Sequence, residues 1–414
     1  MNATIRIKLS LMMFLEFFIW GAWFVTMGTY LSKELSSEGF QIAAAYSTQS
    51  LGAIIAPFII GLIADRFFAA QKILGILHLV GALLMFMAAQ SGNFGGFYPY
   101  ILIYMIVYMP TLALVNSVSF RQMTDPSKEF SSIRVWGTLG WIAAGLIIGY
   151  AFDWEAKGLL RNTFYMASGV SAFLGLFSFL LPDTPPKGKD AAKPTTREML
   201  GLDALSMLKE RNYLEFFIAS MLICIPLAFY YQNTNIFLNE GGMANAAGKM
   251  TFGQGSEVLF MLCLPYFLLR FGLKTTLLLG MLAWPLRYLL FAFGDPDPWF
   301  SVGISRFTFE LSPWVLGILL HGICYDFFFV TGQIYTDQKA GEKNKSAAQG
   351  LITLATYGVG MMIGFWLAGK IFNMYTLEDG SHDWKMIWII PSTIAVVIML
   401  WFGFRFKNEK VTTA

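Results

Sequence analysis

Seven ionisable side chains lie inside long apolar runs of the sequence, where a charge is costly and therefore rare. They are Glu16, His78, Arg134, Glu257, Arg287, His321 and Asp326. Such groups usually face the protein interior or a water-filled cavity, where they hold polar solutes or protons. The sequence has no His-x-x-x-His, Gly-x-Ser-x-Gly or P-loop pattern, so it lacks the groups for metal-assisted hydrolysis or ATP-driven pumping. We therefore expect binding and proton exchange without a cofactor or metal, and no enzymatic activity.

Arg134, Thr138 and Trp141 follow the i, i+4, i+7 spacing of one helix face. Arginine offers five donors in a fixed fork, and the indole ring offers a stacking surface, so this face can bind a polar, planar solute. The alternative is a basic residue near the end of its helix that extends towards the membrane interface.

Gln254 and Glu257 are i, i+3 neighbours on one helix face, and Gly253 and Gly255 permit another helix to approach closely. Because burial penalises the charged form of a carboxylate, Glu257 can bind a proton near neutral pH. Both residues are candidates for substrate binding, and Glu257 is also a candidate for proton coupling. The alternative is a hydrogen-bonded clamp between helices.

A proline precedes a polar run in CIPLAFYYQNTNIFLN, residues 224–239. Pro226 interrupts helical hydrogen bonding, and residues 230–235 are all tyrosine or polar. The pattern is typical of a helix that lines an aqueous cavity. Alternatively, some of these residues lie at the outer headgroup interface, where tyrosine is common. We select Tyr231 as a substrate-binding candidate and Asn235 as its neighbour in the cavity.

One aspartate, Asp326, lies in the apolar and aromatic stretch HGICYDFFFVTG, residues 321–332. His321 and Tyr325 share a helix face at i, i+4, and Asp326 lies about 100° further round. All three are candidates for substrate binding. Asp326 is also a candidate for proton coupling, since a buried carboxylate can change its protonation with its surroundings.

The remaining ionisable residues allow weaker predictions. Glu16 either lines the cavity or forms hydrogen bonds within the N-terminal half. His78 is a lone histidine on an apolar face, and Arg287 lies where its apolar run approaches the outer surface. We interpret His78 and Arg287 mainly as structural.

The composition indicates a membrane protein, since 56% of the residues are hydrophobic and only 13% are charged, against roughly 25% charged in soluble domains. A net charge of +3 does not indicate a nucleic-acid partner. The three cysteines have no CxxC spacing, which argues against a disulfide framework or a zinc site. The predicted fold is all-α with twelve transmembrane helices, each in an apolar run of about 20 residues. These runs cover residues 9–31, 42–64, 73–90, 98–120, 131–152, 163–182, 213–238, 250–269, 275–293, 312–335, 347–369 and 386–404.

A polar stretch rich in Pro, Lys and Thr divides these runs six and six. We expect an N-terminal six-helix bundle over residues 1–182, a cytoplasmic linker over 183–212 and a second six-helix bundle over 213–414. Lys and Arg are concentrated in the connections on the side that holds both termini and the linker. Because cytoplasmic loops carry the excess of basic residues, both termini are expected to be cytoplasmic.

Eight stretches distributed along the chain carry a resemblance to a known family. They are FLEFFIWGAWF (14–24), MPTLALVNSVSF (109–120), IRVWGTLGW (133–141), LGLDAL (200–205), SEVLFMLCLPYF (256–267), LRYLLFAFGDPDP (286–298), YDFF (325–328) and SAAQG (346–350). The chain resembles the bacterial nucleoside:proton symporter family of the major facilitator superfamily, and looks closest to a less-characterised branch of nucleoside transporters. ADRF (64–67), with Gly61, is also similar to a short cytoplasmic motif of the superfamily.

The resemblance implies a major facilitator fold and proton-coupled nucleoside uptake by alternating access, with the substrate site between the two bundles. Family positions that contact the nucleoside match Arg134, Thr138, Gln254, Glu257 and Asp326. Aromatic positions of the family, where phenylalanine is typical, match Trp141 and Tyr325.

Other positions depart from the family pattern. Ala228 and Tyr231 stand where the family uses Gln and Asn, His321 stands where it uses a tyrosine, and Glu16 stands where a glutamine is common. The transport class is thus implied, while the substrate stays open. The alternatives are a transporter of another polar metabolite, such as a sugar or nucleobase, and a membrane sensor or intramembrane enzyme that does not transport. The resemblance further implies a monomer in the lipid bilayer of the bacterial inner membrane.

Overall fold

Long helices make up most of the structure, a computed structural model that describes residues 2–59, 69–124, 126–185, 195, 202–304 and 307–409. Contacts divide the chain into two compact units. The first comprises Met1–Ser37 and Ala44–Met199, and the second comprises Glu38–Ala43 and Leu200–Ala414. The predicted boundaries at residues 182 and 213 stay predictions. The motif ADRF (64–67) and part of the predicted linker lie outside the described residues.

The N-terminal half of the chain holds seven α-helices within the described residues. They are α1 (Ala3–Gly21), α2 (Met27–Glu34), α3 (Gly39–Ile59), α4 (Ala70–Gln90), α5 (Phe94–Arg121), α6 (Pro126–Leu146) and α7 (Arg161–Ser178). Asn2 caps α1 and Asn93 caps α5 with a side-chain oxygen, which satisfies a free backbone N–H at each start. A π-helical turn, Ile147–Ala151, continues α6. Helix α1 packs along α6, and α4 packs along α5 and α7.

The C-terminal half begins with a 3₁₀ helix, Leu202–Lys209, and continues in α-helices. They are α8 (Arg211–Glu240), α9 (Ala246–Phe293), α10 (Pro313–Leu319), α11 (His321–Cys324), α12 (Thr331–Thr353), α13 (Met361–Met374) and α14 (Trp384–Arg405). Helix α9 packs against α10, α11 and α14, and α8 packs against α13 and α14. The candidate residues on α9 and α11 therefore belong to neighbouring helices.

Helix α9 bends sharply at Gly272, whose φ of 77° and ψ of 172° are not helical. Only glycine adopts that backbone conformation without strain. The bend separates the apolar runs predicted at 250–269 and 275–293, so each run occupies one arm of α9. Glu257 lies on the first arm and Arg287 on the second.

Within the described residues of the C-terminal half, π-helical segments interrupt the helices at Tyr325–Val330 and Leu354–Gly360. In the first, the backbone N–H of Thr331 bonds to the carbonyl of Asp326, five residues earlier. Turns of this kind are rare and frequently lie at functional sites. The run predicted at 312–335 is thus built from α10, α11, a π turn that contains Asp326, and the start of α12.

A β-hairpin lies between α9 and α10, where the sequence analysis predicted only helices and connections. Strands β1 (Phe300–Ile304) and β2 (Phe307–Leu311) pair in antiparallel register, with Phe300 opposite Leu311. The prediction of a mainly helical fold is confirmed, and this hairpin is a connection that was not predicted.

Within the described ranges, eight helices are long and apolar enough to cross a membrane, and the count of twelve stays a prediction. Large apolar side chains are exposed along them, including Leu262 at 76%, Leu269 at 72% and Phe404 at 87%. Exposure of this extent would be costly in water and is expected where a helix faces lipid.

Candidate functional site

Asp326 is a buried carboxylate in the π turn of the second unit. Its side chain has no solvent exposure, and among the described residues neither carboxylate oxygen has a hydrogen-bond partner. Burying a carboxylate without donors costs several kcal/mol or more when it is charged. This position is therefore stabilised when the group binds a proton or when a ligand supplies donors.

Three further ionisable side chains form a chain of contacts beside it. Arg287 Nη1 lies 3.1 Å from His321 Nδ1, and His321 Nε2 lies 3.0 Å from Glu257 Oε1. Arg287 and His321 are buried, whereas the Glu257 side chain keeps 17% of its surface exposed. Glu257 also acts electrostatically on Asp326. The two proton-coupling candidates thus belong to one cluster.

The hydrogen-bond donors and acceptors around His321 define its protonation state and tautomer. A guanidinium has only donors, so His321 Nδ1 accepts the hydrogen bond from Arg287. The ring hydrogen is therefore on Nε2, which donates to the Glu257 carboxylate. Arg287 holds His321 as a neutral imidazole in one tautomer, and His321 in turn orients Glu257.

The aromatic ring of Tyr230 packs against both Arg287 and His321. The guanidinium carbon of Arg287 lies 3.7 Å from the centroid of the Tyr230 ring, and the same ring stacks on His321 at 5.0 Å. Nε and Nη2 of Arg287 have no hydrogen-bond partner among the described residues. The face of Tyr230 offsets part of the cost of burying this charge.

Close packing of α9 and α11 places Glu257 beside His321. The backbone N–H of Gly322 donates to Ser256 Oγ at 3.0 Å. A Cβ atom at Gly322 would lie 2.6 Å from the carbonyl carbon of Ser256, closer than side chains tolerate. The absence of a side chain at residue 322 therefore permits the helix contact that aligns Glu257 with His321.

The Tyr325 ring lies beside that of His321, with centroids 5.9 Å apart. Its hydroxyl lies 2.7 Å from that of Tyr357, and both line a pocket of about 380 Å³, including its open mouth, together with Phe216, Phe329 and Gln333. Glu257, His321 and Asp326 do not line this pocket.

Other candidates of the second unit lie close to the cluster. The Tyr231 ring is 6.4 Å from that of His321 in an edge-on arrangement. Gln254 is half-buried and lies one helical turn before Glu257. Asn235 is fully buried and its Nδ2 contacts Met250 Sδ at 3.8 Å, so this amide faces protein atoms.

The candidates of the first unit follow one face of α6, and all three are half-buried. The Arg134 guanidinium carbon lies 4.1 Å from the centroid of the Phe17 ring on α1. Trp141 contacts Trp20 of α1, with ring centroids 5.6 Å apart. Thr138 lies one turn after Arg134. Helix α1 therefore supports both ends of this face with aromatic rings.

Two residues of the second-unit cluster, Arg287 and Tyr230, were not among the predicted site residues. Arg287, interpreted above as mainly structural, is fully buried and bonded to His321, so it belongs to this cluster. Tyr230 was overlooked beside Tyr231. The signal for Arg287 was present, because charged residues within membrane spans usually face the protein interior.

Comparisons with known proteins agree on one family. The model of the nucleoside H⁺ symporter family matches residues 1–411. The chain is 45% identical over 417 residues to the Escherichia coli K12 protein named "Putative nucleoside transporter YegT", which covers 98% of this chain and 95% of that protein. It is 32% identical over 427 residues to nucleoside permease NupG of the same strain, with 99% and 98% covered.

The fold agrees with a solved structure of the second relative. The crystal structure of nucleoside transporter NupG matches with a TM-score of 0.85 at 32% identity, covering 99% of this chain and 100% of that one. A transporter of the peptide-transporting POT family matches with a TM-score of 0.74 at 14% identity, which supports the fold alone. The chain therefore belongs to the nucleoside H⁺ symporter family, whose members are membrane transporters and not enzymes.

Proposed function

We propose that this chain takes up nucleosides together with protons by alternating access. The observation that carries the proposal is Asp326, a fully buried carboxylate without a hydrogen-bond partner among the described residues, in a chain of the nucleoside H⁺ symporter family. A carboxylate in this state needs a proton or a ligand donor. The same group can therefore respond to both cargoes of a symporter.

Nucleoside binding is assigned to side chains that match the chemistry of a ribose and a base. Carboxylates and amides accept or share hydrogen bonds with ribose hydroxyls, while aromatic rings and the arginine fork suit a planar base. The proposed contacts are Arg134, Thr138, Trp141, Tyr231, Gln254, Glu257, His321, Tyr325 and Asp326.

Proton coupling is assigned to Asp326 and Glu257. The contact from His321 Nε2 supplies Glu257 with a donor, which favours its ionised form. Asp326 has no such donor among the described residues. The asymmetry supports Asp326 as the group that carries the proton and Glu257 as the carboxylate that acts on it electrostatically.

The proposed setting is the bacterial inner membrane. We assign twelve membrane spans, with six-helix bundles over residues 1–182 and 213–414, a cytoplasmic linker over 183–212 and both termini in the cytoplasm. The excess of Lys and Arg on that side supports the orientation. The functional form is proposed to be a monomer in the lipid bilayer.

Uptake into proteoliposomes tests the function. The full chain is reconstituted, and labelled uridine and adenosine are supplied with and without an inward proton gradient, with protein-free vesicles and a protonophore as controls. We expect accumulation above the external concentration only with the gradient. Uptake that ignores the gradient contradicts symport.

Competition separates the alternative substrates. A panel of unlabelled purine and pyrimidine nucleosides is expected to inhibit uptake, whereas sugars and free nucleobases are not. Inhibition by a sugar or nucleobase alone would assign the chain another polar metabolite. Binding without any transport would instead favour a sensor.

A further inference from the structure

A buried series of hydrogen bonds joins Glu16 to three other side chains of the first unit. Glu16 on α1 is fully buried, and its Oε2 lies 2.8 Å from His78 Nε2 on α4. Its Oε1 lies 2.6 Å from Thr111 Oγ1 on α5. His78 Nδ1 lies 3.2 Å from Ser171 Oγ on α7. A carboxylate and an imidazole are thus joined across four helices, although His78 reads as a lone histidine in the sequence.

Each end of the network is a hydroxyl group with two possible acceptors. Thr111 Oγ1 lies 2.6 Å from Glu16 Oε1 and 2.5 Å from the carbonyl oxygen of Tyr108. Ser171 Oγ lies 3.2 Å from His78 Nδ1 and 2.9 Å from the carbonyl oxygen of His78. A hydroxyl has one hydrogen, so each can donate to only one of its two neighbours at a time.

In the form with fewer protons, every polar atom of the pair is bonded. Thr111 donates to Glu16 Oε1, Ser171 donates to His78 Nδ1, and the Nε2–H of His78 donates to Glu16 Oε2. The pair then carries one negative charge, on Glu16.

A proton taken from hydronium can bind at either end without movement of a heavy atom. At Glu16 Oε1, the new O–H bond donates to Thr111 Oγ1, and the hydrogen of Thr111 turns to the Tyr108 carbonyl. At His78 Nδ1, the new N–H bond donates to Ser171 Oγ, and the hydrogen of Ser171 turns to the His78 carbonyl. The net charge becomes zero in both cases, and one water molecule is released.

Other titratable or charged groups lie on the helices packed around the pair. Among the described residues of the packed helices, the titratable or charged groups near the pair are Tyr104 and Tyr108 of α5 and Arg134 of α6. Tyr104 and Tyr108 interact electrostatically with Glu16, and Tyr108 also with Arg134. The hydroxyl of Ser171 is the polar group from α7.

We propose that Glu16 and His78 form a proton-binding site of the first unit, with Thr111 and Ser171 as the hydroxyls that reverse when the proton binds. Asp326 and Glu257 belong to the other unit, so this site is additional to the proposed coupling carboxylates. A structural clamp needs one set of donors, whereas this network has a complete set for each of two proton counts.

Proton counting tests the site without any nucleoside, so its outcome is independent of the transport proposal. The purified full chain in detergent is titrated between about pH 5 and about pH 9 with an indicator dye, and infrared difference spectra follow the carboxyl C=O stretch. Ring ¹⁵N resonances of His78, identified by their loss in H78Q, follow the imidazole. We expect the native chain to bind one proton more than E16Q, whose amide reproduces the hydrogen bonds of the protonated acid.

Variants of the two hydroxyls sharpen the test. T111S keeps a hydroxyl and is expected to retain the extra proton. The double variant T111V/S171A removes both reversible donors and is expected to lose it, with E16Q as the reference for the loss. Equal proton binding by the native chain and E16Q would overturn the proposal. Full proton binding by T111V/S171A would overturn the role of the hydroxyls, and with it the site as drawn.

Discussion

Arg287 and His321, 34 residues apart in the sequence, are joined by a buried hydrogen bond of 3.1 Å from Nη1 to Nδ1. This contact determines whether His321, a histidine inside a membrane span, can bind a second proton. His321 is not a free titrating group, because the nitrogen that would take a proton already accepts a hydrogen bond from a cation. It acts instead as a neutral donor towards Glu257.

Removal of Arg287 should convert His321 into a titrating residue. In R287M, His321 Nδ1 is free to bind a proton, and the resulting imidazolium pairs with Glu257 and withdraws it from substrate. We expect the KM for nucleoside to rise as the pH falls from about 8 to about 6, by roughly tenfold, or ~1.4 kcal/mol. Initial uptake rates at several pH values measure it.

R287K is the matched control for this effect. Lysine keeps a positive charge and a donor, so the pH dependence of its KM should follow that of the native chain. If R287M also keeps the native pH dependence, Arg287 does not control the protonation of His321.

His321 variants separate the stability of the cluster from its chemistry. In H321Q, the amide oxygen can accept from Arg287 while the amide nitrogen donates to Glu257, so folding and uptake should be largely preserved. H321L leaves Arg287 without its acceptor, and we expect a loss of roughly 1–3 kcal/mol in the free energy of unfolding. Thermal unfolding in detergent compares them; equal stabilities would argue against the hydrogen bond.

Asp326→Asn should uncouple the proton from the nucleoside. The amide cannot gain or lose a proton, so gradient-driven accumulation should be abolished, while exchange between equilibrated nucleoside pools can survive. Proteoliposome assays of both activities provide the measurement, with E257Q as the comparison. Native accumulation by D326N, together with its loss in E257Q, would transfer the proton to Glu257.

The contact between α9 and α11 can be tested at its glycine. G322A places a Cβ atom 2.6 Å from the Ser256 backbone, so we expect a destabilisation of ~1–3 kcal/mol from overpacking. Separation of the helices should also weaken the contact from Glu257 to His321 and raise the KM. G255A, on α9, adds a carbon with nothing within 4 Å, so it should leave the KM unchanged and should not lower the stability, since alanine favours a helix over glycine. Equal behaviour of the two variants would contradict this role for residue 322.

The sequence identified the ionisable residues of the second-unit cluster but not the contacts between them. Glu257, His321 and Asp326 stand out because charges inside apolar runs are rare. Arg287 stands out by the same rule but was interpreted as mainly structural, and its partner His321 lies 34 residues away in the sequence. Glu16 and His78, which are 62 residues apart, show the same limitation. Such pairs depend on how helices pack, which single-sequence periodicity does not contain.

Some of the interruptions of the α-helices could be predicted from the sequence, and others could not. The hairpin strands alternate apolar residues, as in Phe300 and Val302 or Phe307 and Phe309, and this pattern could have predicted them. The bend at Gly272 fell between two predicted spans. The π turn had no such signal, since its residues are as apolar and aromatic as those of an ordinary buried helix.

The π turn at Tyr325–Val330 changes the geometry of every residue beyond it. Its hydrogen bonds join residues five apart, so it holds one residue more than the α-helical turn it replaces. A wheel drawn at 100° per residue is therefore out of phase after Tyr325, by about one residue position. Deletion of a single amino acid within this segment would restore the α-helical phase and change the direction of the Asp326 carboxylate. The hydrophobic pattern would stay almost intact. The length of this stretch is thus under a constraint separate from its composition.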